Sequence, residues 1–147
     1  MTDIGSDVRL YIDTNIFIYF IEDKGPQGER AARLFIELNE RRIFSLTSEL
    51  AIAECLHGVH KTGRTELLAL YTSLFETVEV LPLTTTILMN ASEIGGRLNN
   101  KLLDAVHVAA ALEWGCTHFL TNDHSIRMPP GLTRLLFSEL TIGDPHT

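Results

Sequence analysis

The sequence predicts an α/β fold in which helices cover a parallel sheet. Short β-like runs alternate with longer helix-like ones along the chain, and no repeat, low-complexity tract or long linker interrupts them. With 147 residues, 45% of them hydrophobic, the chain fits one domain over residues 1–147, with a core from about residue 8 to 140.

The first strand is Arg9 to Ile12 and ends at Asp13. Thr14 or Asn15 opens a helix through Ile16, Phe17, Tyr19 and Phe20, which Gly25 and Pro26 stop. A second helix runs from about Gly28 to Glu40, because Ala31, Leu34, Phe35 and Leu38 recur at the period of an amphipathic face. Ile43, Phe44 and Leu46 make a short strand, and Ser48 is placed to cap a helix through Gly58. Thr65 to Phe75 forms another helix, with Leu67, Leu68, Tyr71, Leu74 and Phe75 facing inward, before a strand from Val78 to Leu81.

Thr84 to Leu98 and Leu102 to Trp114 are helices separated by a turn at Asn99 and Asn100. The second is apolar almost all round, as a centrally buried helix should be, and Gly115 closes it. His118 to Leu120 form a strand that leads into Thr121, Asn122 and Asp123. Pro129, Pro130 and Gly131 then turn the chain into a last strand, Arg134 to Phe137. The tail from Thr141 to Thr147 is expected to be short and flexible.

The longest uninterrupted apolar run, Ile16 to Ile21, is far below the roughly 20 residues that span a bilayer. The amino terminus carries Asp3 and Asp7 where a signal peptide would be basic, so a soluble, cytoplasmic protein without membrane contact is expected. Cys55 and Cys116 lack C-x-x-C spacing and lie in apolar segments, which suits reduced, buried thiols. A net charge of −7 argues against a sequence-reading nucleic-acid binder with a basic face. Setting four of the 19 acids aside as ligands of divalent ions leaves 15 against 12 basic residues, a balance near −3.

Four acids stand out. Asp13 and Asp123 follow strands, and ligands of open parallel sheets gather at the carboxyl edge. Thr14 and Asn15 beside the one, and Thr121 and Asn122 beside the other, can hydrogen-bond and orient carboxylates. Each acid taken alone would also suit a helix cap or turn. Asp104 lies among Leu102, Leu103, Ala105, Val106, Val108, Ala109 and Ala110, which leave little room for a solvated face. A carboxylate buried there needs a counter-charge, and Lys101, three residues earlier, offers a structural ion pair as one alternative. Glu54 shares a helical face with Leu50, Ala51 and Gly58, small neighbours that leave space for a ligand. Four such acids with few internal cations are explained together if they converge on hard divalent ions, which prefer oxygen.

His57 and His60 lie near Glu54 without the H-E-x-x-H arrangement, so zinc is not expected. His107 could orient a carboxylate or contact a phosphate; a structural role is favoured over a catalytic one. Lys61, Arg64, Arg97 and Lys101 are the basic residues nearest the acidic motifs, as phosphate contacts or as plain solvated side chains. Phe17, Tyr19, Phe20, Leu34 and Phe35 suit a core or a dimer interface.

Asp13-Thr14-Asn15-Ile16-Phe17-Ile18, then Glu54 in a helix, then Asp104-Ala105-Val106-His107-Val108-Ala109-Ala110-Ala111, then Thr121-Asn122-Asp123 occur in this order across nearly the whole chain. The set resembles a complete PIN domain, of the size of the single-domain VapC-type toxins of prokaryotic toxin–antitoxin pairs. The resemblance implies a three-layer α/β/α fold with a central parallel sheet of about five short strands. It implies a cut of RNA by metal-activated water, leaving 5′-phosphate and 3′-hydroxyl ends, with one or two Mg²⁺ or Mn²⁺ ions. Asp13, Glu54, Asp104 and Asp123 would then be the catalytic ligands, supported by Asn15, Thr121 and Asn122. A homodimer and a small antitoxin whose tail fills the active-site groove are implied as well. Two alternatives remain at this point. A haloacid-dehalogenase-like phosphatase also places Asp after the first strand but expects a second acid two residues on, where this chain has Asn15. A PIN-like module could keep its carboxylates and bind RNA or protein without chemistry.

Overall fold

The computed structural model describes residues 3–142. Five strands, β1 (Arg9–Ile12), β2 (Phe44–Ser48), β3 (Glu79–Leu81), β4 (His118–Thr121) and β5 (Thr133–Leu136), form one parallel sheet in the order β3-β2-β1-β4-β5. The helices are α1 (Thr14–Glu22), α2 (Pro26–Glu40), α3 (Glu49–Thr62), α4 (Leu68–Glu76), α5 (Thr85–Leu98) and α6 (Leu102–Glu113).

Side chains alternate across β1 and feed two cores. Leu10 and Ile12 join Phe17, Leu34, Cys55 and Tyr71 beneath α1 to α4, whereas Tyr11 joins Leu46, Phe119 and the buried faces of α5 and α6. A strand buried on both sides is what a parallel sheet between two helical layers requires. The three-layer α/β/α arrangement with five short parallel strands is therefore the one the sequence predicts. β1 lies at its centre, with Tyr11 opposite Leu46 on one side and Phe119 on the other.

Several boundaries differ. Pro26 does not end α1, which closes at Glu22; it occupies the first turn of α2, where its missing N–H would have had no partner, and Gly25 is the N-cap. Gly28 thus lies inside that turn, and a Cβ on it would stand 1.8 Å from the Asp23 carbonyl oxygen. α3 passes Gly58 and ends at Thr62, because Gly63 supplies the left-handed φ of 73° that closes it. The stretch 65–75 is a 3-10 turn, Thr65–Leu67, followed by α4, and Phe137 leaves the sheet for a second 3-10 turn, Phe137–Glu139. α6 is buried throughout 105–111, but Leu102 and Leu103 are 62% and 51% exposed. Of the tail, Ile142 packs against the first core, and 143–147 lie outside the described residues.

Phe17 and Leu34 are fully buried, and Tyr19, Phe20 and Phe35 pack around them. Cys55 and Cys116 are free and buried, their thiols pushed up to about 12 and about 11 by burial. Among the described residues no helix is long and apolar enough to cross a membrane.

Candidate active site

The carboxyl ends of β1 and β4, the start of α6 and the middle of α3 bring the four acids to one region. Asp13 ends β1 and caps α1: its Oδ1 accepts from the Thr14 N–H at 2.8 Å, and its Oδ2 accepts from the Thr121 hydroxyl at 2.7 Å. Asn15 donates to Thr121 Oγ1 at 3.2 Å and accepts from the Asn122 N–H at 3.3 Å, tying the two strand ends together. Asn122 also donates to the Tyr19 hydroxyl and accepts from the Ser138 N–H. Asn15, Thr121 and Asn122 all lie around Asp13, and Thr121 touches it directly.

Glu54 reaches in from α3. Its Oε1 accepts from the Thr14 hydroxyl at 2.7 Å and from His107 Nε2 at 2.5 Å. Burial disfavours its charge, but the His107 hydrogen bond and the Thr14 hydroxyl outweigh burial and hold the carboxyl below its usual range. His107 is 1% exposed, with Nε2 turned to the Glu54 carboxylate and Nδ1 to the Tyr11 hydroxyl. Its Nε2 is also 3.6 Å from Asp13 Oδ1. Burial alone would lower the His107 pKa, but the Glu54 hydrogen bond and the charges of Asp13, Glu54 and Asp104 raise it above the ordinary histidine value.

Asp104, in the first turn of α6, differs. It is partly exposed because Leu102 and Leu103 project outward beside it, so its flanks are less enclosing than the sequence suggests. It has no hydrogen bond or ion pair among the described residues, including with Lys101. Burial, then the charges of Asp13 and Asp123, push its carboxyl above the usual range, against the opposing pull of His107 and Lys101. Asp123 closes the group on the loop after β4. Its Oδ1 accepts from the Ser125 hydroxyl at 2.6 Å and N–H at 2.8 Å, and these donors hold its pKa down against burial.

This donor set suits a hard divalent ion: every candidate ligand is a carboxylate oxygen, and Asp104 is repelled by two others with no donor of its own. Among the described residues, however, no three His, Cys, Asp or Glu side chains are grouped so that they could hold a metal ion as they stand. A cavity of about 480 Å³ lies elsewhere, among Phe20, Phe35, Leu38 and Leu74, and none of the four acids lines it.

The candidate basic contacts divide. Arg64 is held by Glu22 at 3.3 Å and Glu66 at 3.6 Å, and Arg97 faces Glu93 at 3.9 Å. Lys61 is exposed at the end of α3. Lys101 is exposed and lies within electrostatic reach of both Asp104 and Asp123. The sequence does not point to Tyr11 or Ser125 as site residues, and it marks Ser48 only as a helix cap. The available signal was Tyr11 itself, since a phenol amid an apolar strand needs a polar partner.

The family model described as PIN domain matches residues 10–130. The chain belongs to the PIN domain family. That match spans the segments holding Asp13, Glu54, Asp104 and Asp123 and leaves the phosphatase alternative without support. No curated protein matches the chain in sequence. Among solved structures, this PIN domain resembles a chain of VapBC2 from Rickettsia felis bound to a DNA fragment from their promoter. The TM-score is 0.70 at 17% identity, over 86% of this chain and 97% of that one. It resembles a chain of FitAcB from Neisseria gonorrhoeae with a TM-score of 0.69 at 16% identity, over 89% and 99%. A chain of DNA-bound VapBC from Salmonella typhimurium gives 0.68 at 20% identity, over 88% and 98%. These likenesses show a common fold over almost the full length of each.

Proposed function

We propose that this PIN domain is a Mg²⁺- or Mn²⁺-dependent endoribonuclease, the toxin of a type II toxin–antitoxin pair acting in the cytoplasm. Asp13, Glu54, Asp104 and Asp123 hold one or two ions. The observation that carries this reading is Asp104, a half-buried carboxylate without a hydrogen bond, raised in pKa by burial and by Asp13 and Asp123. A bound divalent cation relieves that repulsion.

When bound, the ion supplies an acidified water near neutral pH and positive charge facing the phosphodiester. The chain's own groups hold and orient. Thr14 N–H and Thr121 fix both oxygens of Asp13, Thr14 Oγ1 and His107 fix Oε1 of Glu54, and Ser125 fixes Asp123. Lys101 is placed to meet a backbone phosphate at the rim. In hydrolysis the water oxygen bonds to phosphorus, the bond from phosphorus to the 3′ oxygen breaks, and that oxygen takes a proton. The fold shared with a chain of a toxin–antitoxin complex from Klebsiella pneumoniae, at 17% identity, supports a small antitoxin as inhibitor, and a homodimer is proposed as the working form.

Purified protein is expected to cleave loop-containing RNA with Mg²⁺ or Mn²⁺, to stop with EDTA, and to elute as a dimer by light scattering. Full cleavage by Asp104→Asn, or cleavage indifferent to EDTA, overturns the nuclease reading. Tight RNA binding without cleavage under any divalent ion would instead identify a binding module.

A further inference from the structure

Behind Glu54 lies a line of buried polar groups that the acidic surface does not itself use. Tyr11 and Ser48 are fully buried and His107 is 1% exposed. The Tyr11 hydroxyl is 2.8 Å from Ser48 Oγ and 2.6 Å from His107 Nδ1, and His107 Nε2 is 2.5 Å from Glu54 Oε1. Ser48 sits at the N-cap position of α3 yet makes no capping hydrogen bond; its hydroxyl is turned to Tyr11. The Tyr11 ring stacks on Phe119 at 5.2 Å and meets the His107 ring edge-on at 5.6 Å, so packing fixes where its hydroxyl points.

The geometry points to Tyr11 and Ser48 as positioning residues that act through His107 to hold Glu54 with one oxygen committed to the protein and the other presented to the ion. The inference rests on the nuclease reading for the identity of that ion. Ionised Glu54 can only accept, so His107 must present an N–H from Nε2. Its Nδ1 is satisfied within the protein by the Tyr11 hydroxyl, with Ser48 as partner of the phenol. Thr14 adds a second donor to the same Glu54 oxygen, Oε1. Oε2 has no hydrogen bond among the described residues. Glu54 is thereby aligned as a one-oxygen ligand. A network that served the fold alone would have no reason to saturate one oxygen of this carboxylate and spare the other.

The test uses ¹⁵N-labelled, EDTA-treated protein and Mn²⁺ as probe. In wild type, long-range ¹H–¹⁵N NMR is expected to show a proton on His107 Nε2. Tyr11→Phe keeps the ring packing and removes the hydroxyl. It is expected to lose that defined signature and to raise the Mn²⁺ dissociation constant about tenfold, as loss of an outer-shell partner does. Its cleavage rate should recover at saturating Mn²⁺. Ser48→Ala is expected to show the same changes more weakly and serves as the measurement should Tyr11→Phe fail to fold. His107→Gln, whose amide can still donate to Glu54, is expected to bind Mn²⁺ several-fold more tightly than His107→Leu. A His107 with Nε2 unprotonated in wild type overturns the inference. So does wild-type Mn²⁺ affinity in Tyr11→Phe, or in Ser48→Ala if that variant is the one that folds. Because the NMR arm uses metal-free protein, a wild type that cuts no RNA defeats the nuclease reading while leaving the His107 result intact.

Discussion

The two sides of the acidic surface are held in opposite ways. Around Asp13 and Glu54 the protein supplies donors from three directions, with Thr14 serving both acids, Thr121 reaching across from β4 and His107 rising from α6. Asp104, one helical turn from His107, receives none and faces two like charges. On the first side the protein's own donors engage both oxygens of Asp13 and one of Glu54, whereas on the second Asp104 has no donor at all. The contrast separates carboxylates that the fold orients from one that burial and like charge disfavour.

Removing charge from each side should separate activity from stability. Asp13→Asn and Asp104→Asn are each expected to lower RNA cleavage by roughly three orders of magnitude, about 4 kcal/mol in the barrier. In metal-free protein Asp104→Asn should raise the melting temperature, because repulsion is relieved, while Asp13→Asn should lower it. Equal destabilisation by both would break the comparison. A smaller effect is expected of Thr121→Val, which strands Asp13 Oδ2 and should cost about 1–3 kcal/mol in urea unfolding.

The pH dependence sharpens the same contrast. The Glu54 carboxyl is held low, so its contribution to stability is present above the ordinary carboxylate pKa and is lost as pH falls through the lowered one. Asp104 is held high, so its ionisation opposes folding above the raised pKa, and that opposition fades as pH falls toward the ordinary value. Unfolding measured in EDTA should therefore show Asp104→Asn gaining most over wild type above the raised pKa and nothing at acid pH. Added Mg²⁺ should close the gap by stabilising wild type. The smallest effect is expected of Lys101→Ala, a few-fold loss of RNA affinity with the salt dependence reduced by about one.

The order of elements and the four acids were legible because they depend on local signals. Strand-end carboxylates, a 3.6-residue apolar period and acids amid aliphatic neighbours can all be read without knowing the fold. Pro26 misled because the same residue ends one helix and begins another, and only the docking of α2 on Asp23 decides which. The flanks of Asp104 misled for a related reason: Leu102 and Leu103 are apolar, yet they sit in a first turn that projects beyond the sheet. The partners of Glu54 lie 40 and 53 positions away, and those of Tyr11 37 and 96, so no window along the chain holds them. Ser48 looked like a cap, and it has a cap's place, but a buried phenol took its hydroxyl.

The central strand of the sheet is also the earliest to leave the ribosome. β1 pairs with β4, so Leu10 waits for His118 and Ile12 for Leu120, and Asp13 cannot receive the Thr121 hydroxyl until more than a hundred further residues have been translated. A chain synthesised only through α3 therefore carries Asp13 and Glu54 without Thr121, Asp104 and Asp123, so the acidic surface is assembled only after β4 has emerged.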